Sequence, residues 1–95
     1  MHPYEVTFIV RPELDEQALT AVVDKVKGFV TNGGGQVSEV NPWGRRRLAY
    51  PINKIREGQY VFIRAQLPAQ MISGLERDLR LSEQILRFLV VRAEE

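Results

Sequence analysis

Apolar residues recur along this chain in two periods, and the switches between them mark six elements. Residues 4–11 (Tyr-Glu-Val-Thr-Phe-Ile-Val-Arg) alternate, with Val6, Phe8 and Val10 on one side and Glu5, Thr7, Ile9 and Arg11 on the other. A period of two predicts a strand. Pro12 helps to end it. Asp15 then stands where a helix N-cap belongs, because its carboxylate can accept from the free amides of a first turn. Leu14 and Leu19 occupy the two positions of a hydrophobic staple. Leu19, Val22, Val23, Val26, Phe29 and Val30 follow at helical spacing and predict one buried stripe. Asn32-Gly33-Gly34-Gly35 stops the helix, since glycine tolerates the left-handed conformation at a helix end.

Residues 36–50 return to a strand pattern, interrupted near Pro42–Gly44. Within it, Arg46, Leu48, Tyr50 and Ile52 are expected on one face and Arg45, Arg47 and Ala49 on the other. Leu48 is assigned to the core. Proline cannot donate to a ladder, so this strand is predicted at a sheet edge, with Gly44 marking a bulge. Asn53 to Gly58 reads as a polar loop. Tyr60 to Leu67 is a third strand, with Val61, Ile63, Ala65 and Leu67 opposite Tyr60, Phe62, Arg64 and Gln66. The spacing of Met71, Ile72, Leu75 and Leu79 predicts a helix over 69–81, in which Gly74 costs about 1 kcal/mol relative to alanine. Residues 85–92 form a last strand, apolar on both faces except at Arg87 and Arg92.

The order is β-α-β-β-α-β, which predicts an α+β, ferredoxin-like fold. Two right-handed crossovers and a hairpin place the first and third strands at the centre. The second then pairs outside the third, and the fourth outside the first. The expected product is one domain over residues 1–95, a four-stranded antiparallel sheet with both helices on one face. The other face would present Thr7, Ile9, Arg11, Tyr60, Phe62 and Arg64. Depending on register, the fourth strand adds either Leu89 and Val91 or Phe88 and Val90. A contiguous apolar patch of this kind points to a partner, so Ile9, Trp43, Tyr60, Phe62, Leu89 and Val91 are candidate protein-binding residues. Trp43, beside Gly44, reads as an anchor at a bend or contact.

Charge sharpens this picture. The 95 residues carry a net charge of only +1. Residues 1–42 hold three cations against six carboxylates (net −3), residues 43–66 six against one (net +5), and residues 67–95 four against five (net −1). A basic block of this kind recruits polyanions even when the whole molecule is near neutral. Charged residues on an edge strand also protect against aggregation, which is the blander reading of Arg45 to Arg47.

Other chemistries are poorly supplied. The absence of cysteine excludes disulfides and thiolate metal sites, and the single histidine, His2, cannot build a histidine-rich one. The N-terminus reads as neither a signal nor a transit peptide. Gly33-Gly34-Gly35 follows a helix and precedes a strand, the reverse of a phosphate cradle. Asp15/Glu16 and Glu94/Glu95 read as solvated carboxylates, not a general acid/base pair. Aromatics interleaved with arginines resemble RNA-recognition logic, but Gln59-Tyr60-Val61-Phe62-Ile63-Arg64 lacks the Lys/Arg-Gly-Phe start of that motif.

The segment Trp43-Gly44-Arg45-Arg46-Arg47-Leu48-Ala49-Tyr50-Pro51-Ile52 resembles the bacterial small-subunit ribosomal protein six family. So do Tyr4-Glu5, Leu14-Asp15, Gly34-Gly35 before Val37, Lys54, Gly58 to Tyr60, and the ending Leu86-Arg87…Val90-Val91-Arg92. The similarity runs in register over the whole chain. It implies the same ferredoxin-like fold, a structural role without catalysis or cofactor, and a ribosome-bound, cytoplasmic location. It implies binding to the central domain of small-subunit ribosomal RNA beside small-subunit ribosomal protein eighteen, with no membrane and no small-molecule substrate. By the resemblance, Arg45, Arg46, Arg47 and Tyr50 fall in the family's basic motif, Lys54 lies just beyond it, and members commonly carry a basic or polar residue at the position of His2 and a cation near Arg92. Arg45, Arg47 and Lys54 are expected to contact phosphates. Many members have a longer C-terminal tail than Ala93-Glu94-Glu95. A rival reading is a ligand-sensing or oligomerising regulatory domain of the same fold, since fold does not fix function. The basic block argues against it.

Overall fold

A computed structural model describes residues 1–52 and 54–93. Asn53 and the acidic Glu94-Glu95 end lie outside the described residues. The elements are β1 (His2–Val10), α1 (Glu16–Asn32), β2 (Gln36–Ile52), β3 (Ile55–Leu67), a 3₁₀ turn (Ala69–Met71), α2 (Ile72–Leu81) and β4 (Ile85–Arg92). The sheet runs β2-β3-β1-β4, antiparallel throughout. The expected ferredoxin-like topology is present, with β2 and β4 as its edges.

One sheet face makes the core. Val6, Phe8 and Val10 of β1 and Val61, Ile63, Ala65 and Leu67 of β3 are fully buried against Val26 and Val30 of α1 and Leu75 and Leu79 of α2. Asp15 caps α1, its carboxylate accepting from the Ala18 amide at 2.8 Å. The helices approach closely at Gly74, where a Cβ would lie 3.2 Å from Cζ of Phe29. Gly74 therefore exchanges helix propensity for helix–helix contact.

The β4 register resolves the open alternative. Thr7 pairs with Leu89 and Glu5 with Val91, so Leu89 and Val91 join the open face, while Phe88 and Val90 pack toward the core.

The β2–β3 hairpin departs from expectation. Residues 55–58 are strand, not loop, and Ile52 pairs with Ile55 across the tip. Lys54 there has a φ of 69°. Since β1 ends opposite Gln59, residues 46–52 and 55–58 project past it as a two-stranded arm.

Three register shifts interrupt β2, the first between Val37 and Glu39. The second lies between Pro42 and Gly44, where Gly44 has a φ of 85°, as a bulge requires. The third lies between Arg47↔Glu57 and Ile52↔Ile55. There Leu48, Ala49, Tyr50 and Pro51 oppose Arg56 alone. Pro51 has no N–H to place in a ladder, so the wider bulge has a physical cause. It also breaks the expected alternation, because Ala49 lines the same small cavity as Leu48, Tyr50 and Ile52.

Leu48 is buried, as expected, but outside the main core. It covers the open face beside Ile9, over Gly58, where an added Cβ would sit 2.2 Å from Cγ2 of Ile9. Only glycine lets the arm cross so close to β1. Leu48→Ala should destabilise the protein by about 2–3 kcal/mol, the low end for a buried leucine, and exposed Arg47→Ala by about 0.5 kcal/mol or less. Chemical denaturation of the two variants measures the contrast, and equal losses would contradict this packing.

Candidate nucleic-acid and partner interface

The predicted site residues separate into three groups. Five of the seven candidate RNA-binding residues lie on or next to the arm. Arg46 pairs opposite Gly58 and Arg47 opposite Glu57, and Lys54 stands at the tip. Arg46, Arg47 and Lys54 are exposed and make no ion pair or side-chain hydrogen bond among the described residues. Arg56 is in the same condition and adds a fourth cation. Arg45 differs. Its Nη2 donates to the Pro12 carbonyl at 2.7 Å and its Nη1 lies 4.0 Å from Glu57, so part of its donor capacity braces the arm against the end of β1. Tyr50 is 60% exposed, and its hydroxyl accepts from Arg87 at 2.8 Å.

His2 and Arg92 form the second group. They hydrogen-bond each other through Nδ1 and Nη2, where the ends of β1 and β4 meet and the Ala93 amide bonds the Pro3 carbonyl. Val10, at the arm's end of β1, is eight residues along the strand from His2, about 27 Å at strand rise. The candidate cations thus occupy opposite ends of the sheet.

The third group is the open face. Ladder pairing puts Leu89, Thr7, Phe62 and Asn41 in one row. Beside it lie Arg87, Ile9, Tyr60 and Gly44 on one side and Val91, Glu5, Arg64 and Glu39 on the other. The bulge at Pro42–Gly44 swings Trp43 onto this face. Its ring stacks on Phe62 (centroids 5.8 Å apart, 5° between planes) and on Tyr60 (6.5 Å, 16°). All six candidate partner residues therefore share one face, of which Ile9 is already covered. Leu89 (61% exposed) and Val91 (44%) on β4, and Trp43 (43%) from β2, remain open to solvent toward the two edges of this face.

Two arginines on this face bridge strands, as sequence alternation alone does not reveal. Arg64 donates to Glu5 at 2.9 Å, lies 3.5 Å from Glu39, and stands over the Phe62 ring at 5.6 Å, tying β1, β3 and β2 together across the face. Arg87 does the same between β4 and β2. Its signal in the sequence was a lone cation inside an otherwise apolar strand. Among the described residues no cluster of His, Cys, Asp or Glu could hold a metal ion, and no helix is long and apolar enough to cross a membrane.

Comparison with known families places nearly the whole chain in one of them. The family model "Ribosomal protein S6" covers residues 3–92. The chain belongs to the ribosomal protein S6 family. It is 43% identical to small ribosomal subunit protein bS6 of Moorella thermoacetica, over all of this chain and 97% of that one. It is 44% identical to bS6 of Clostridium acetobutylicum over the full length of both. The crystal structure of 30S ribosomal protein S6 from Thermotoga maritima superposes with a TM-score of 0.90 at 30% identity, covering 96% of this chain and 86% of that one. A TM-score of 0.70 at 14% identity to the C-terminal domain of MgtC from Mycobacterium tuberculosis reflects the shared fold alone. S6-family membership makes this a protein of the small ribosomal subunit, ribosome-bound in the cytoplasm and structural in role.

The stack makes Trp43, the one tryptophan, a reporter of the open face. Phe62→Ala should shift Trp43 emission to longer wavelength, and the lost ring–ring contact should cost about 0.5–1.5 kcal/mol beyond burial. Fluorescence-monitored unfolding checks both. An unshifted emission would mean that Trp43 does not rest on Phe62 in solution.

Proposed function

We propose that this S6-family protein binds the central domain of small-subunit ribosomal RNA through its arm, and docks small-subunit ribosomal protein eighteen on its open sheet face. The observation that carries this reading is the arm itself. Arg46, Arg47, Lys54 and Arg56 are exposed on the arm with no partner among the described residues, so their donors are available to a polyanion. Exposed Arg and Lys donors of this kind are suited to phosphate oxygens, contacts that position the protein without specifying sequence. Arg45 contributes to the field while holding the arm to Pro12. His2 and Arg92 supply a separate patch at the far end of the sheet.

Protein docking rests on the stacked Trp43, Tyr60 and Phe62 together with exposed Leu89 and Val91 on the same face. Helices that cover one face leave this apolar area to solvent, where a monomer seldom keeps a large one. A few phosphate contacts give modest affinity. A basic partner docked beside the arm extends the cationic surface, and the gain must be reciprocal between partner and RNA.

Removing one phosphate-contacting cation should lower the dependence of log affinity on log salt by about 0.7–0.9. Arg46→Ala/Arg47→Ala should therefore flatten the salt dependence of ribosomal RNA binding by roughly twice that amount, and an unchanged slope would refute the phosphate reading. In a second titration, binding should be weak with this protein alone and tight with ribosomal protein eighteen present. Phe62→Asp should abolish that gain while the fold persists. Equal affinity with and without the partner would defeat the docking proposal.

A further inference from the structure

We infer that Arg87 is a positioning residue, whose contact with Tyr50 clasps the two edge strands and holds the β2–β3 arm in its RNA-binding orientation. The inference rests on the reading that the arm binds ribosomal RNA. Nη1 of Arg87 donates to the Tyr50 hydroxyl at 2.8 Å, and the guanidinium carbon lies 5.1 Å above the centre of the Tyr50 ring. β2 and β4 are opposite edges of the sheet, so this contact can form only because the bulge at Leu48–Pro51 carries Tyr50 across β3 and β1. Tyr50 and Arg87 share with Ile9, Leu48, Ala49, Ile52 and Tyr60 the lining of a cavity of about 110 Å³.

The arm needs such a tether. A two-stranded ribbon in water is marginal on its own, and this one loses its ladder between Arg47 and Ile52. Leu48 pins its base on Ile9, and the Tyr50–Arg87 contact pins it further out. Tyr50 and Arg87 thus act on RNA through the arm's geometry. A looser arm spends less time in the binding-competent arrangement, and apparent affinity falls in proportion to that fraction. The number of phosphate contacts in the complex does not change, so neither does the salt slope.

These features separate positioning from direct contact. Arg87→Leu, Tyr50→Leu and the double variant of the full chain are titrated against small-subunit ribosomal RNA across a range of salt. Each single variant should weaken binding about three- to tenfold, as for loss of one charge-assisted contact at an exposed site, with an unchanged slope. The double variant should be no weaker than the singles, because the two side chains form one unit. Tyr50→Phe, which keeps the ring under the guanidinium, should lose less. Hydrogen exchange should accelerate at residues 46–52 and 55–58 and stay constant at 61–67.

A slope lowered by Arg87→Leu makes Arg87 a phosphate contact and overturns the inference. So do losses that multiply in the double variant, or unchanged affinity in both singles. If Arg46→Ala/Arg47→Ala also leaves binding and slope untouched, the RNA reading fails instead. Exchange at the arm then still decides whether the clasp exists.

Discussion

Two helices cannot cover both faces of a four-stranded sheet. From that constraint the rest of this molecule follows. The buried face collects Phe8, Ile63, Leu67, Leu75 and Leu79 into one core, and stability is concentrated there. The open face has to solve a different problem, since its Ile9, Tyr60, Phe62, Leu89 and Val91 meet no helix. The chain covers part of this area with itself. Trp43 lies across Tyr60 and Phe62, Leu48 seals Ile9, and Arg64 and Arg87 each bridge neighbouring or opposite strands. The uncovered remainder includes Leu89 and Val91 on β4.

The contacts of Trp43 and Tyr50 depend on irregularities in β2. A regular edge strand would send Trp43 and Tyr50 to positions dictated by alternation alone. The bulge at Gly44 turns Trp43 over the face, and the wider one at Pro51 throws Tyr50 across the sheet. The arm can then lean over β1 because Gly58 has no side chain to stop it. Bulges serve here as they do near other functional sites, re-aiming side chains that a flat strand would misdirect.

The elements and their order were legible because burial enforces periodicity. Val6, Phe8 and Val10 must alternate if α1 and α2 are to cover them, and Asp15 announces the helix that follows. The arm was less legible for the same reason. Ile55 to Gly58 reads as a polar loop since nothing covers that ribbon, so pairing with β2 makes it strand without demanding an apolar pattern. The Tyr50–Arg87 contact was hidden further. Alternation between Arg46 and Ile52 presumes a constant register, and four residues opposing one break that register at Pro51. The proline was the available sign, but its effect on Ala49 and Tyr50 depends on how many residues the bulge absorbs. Arg45 shows the complementary limit, because a cation in a basic motif reads as ligand-binding until its donor is found on the Pro12 carbonyl.

The division of labour among the arginines has an energetic logic. Exposed ion pairs contribute little to stability, so a protein can place cations at its surface with small consequence for folding either way. What distinguishes them is geometry. Arg64, between Glu5 and Glu39, is neutralised within the sheet and adds little field toward a polyanion. Arg45 and Arg87 spend donors on backbone and side-chain oxygens that shape the arm. Arg46, Arg47, Lys54 and Arg56 keep theirs. A net charge near zero is then compatible with a strongly basic arm, because Glu57 is the one carboxylate among the described residues of the arm. The arm's field survives because its carboxylate neighbour, Glu57, lies opposite Arg47 and only 4.0 Å from Arg45, the arginine already committed to Pro12.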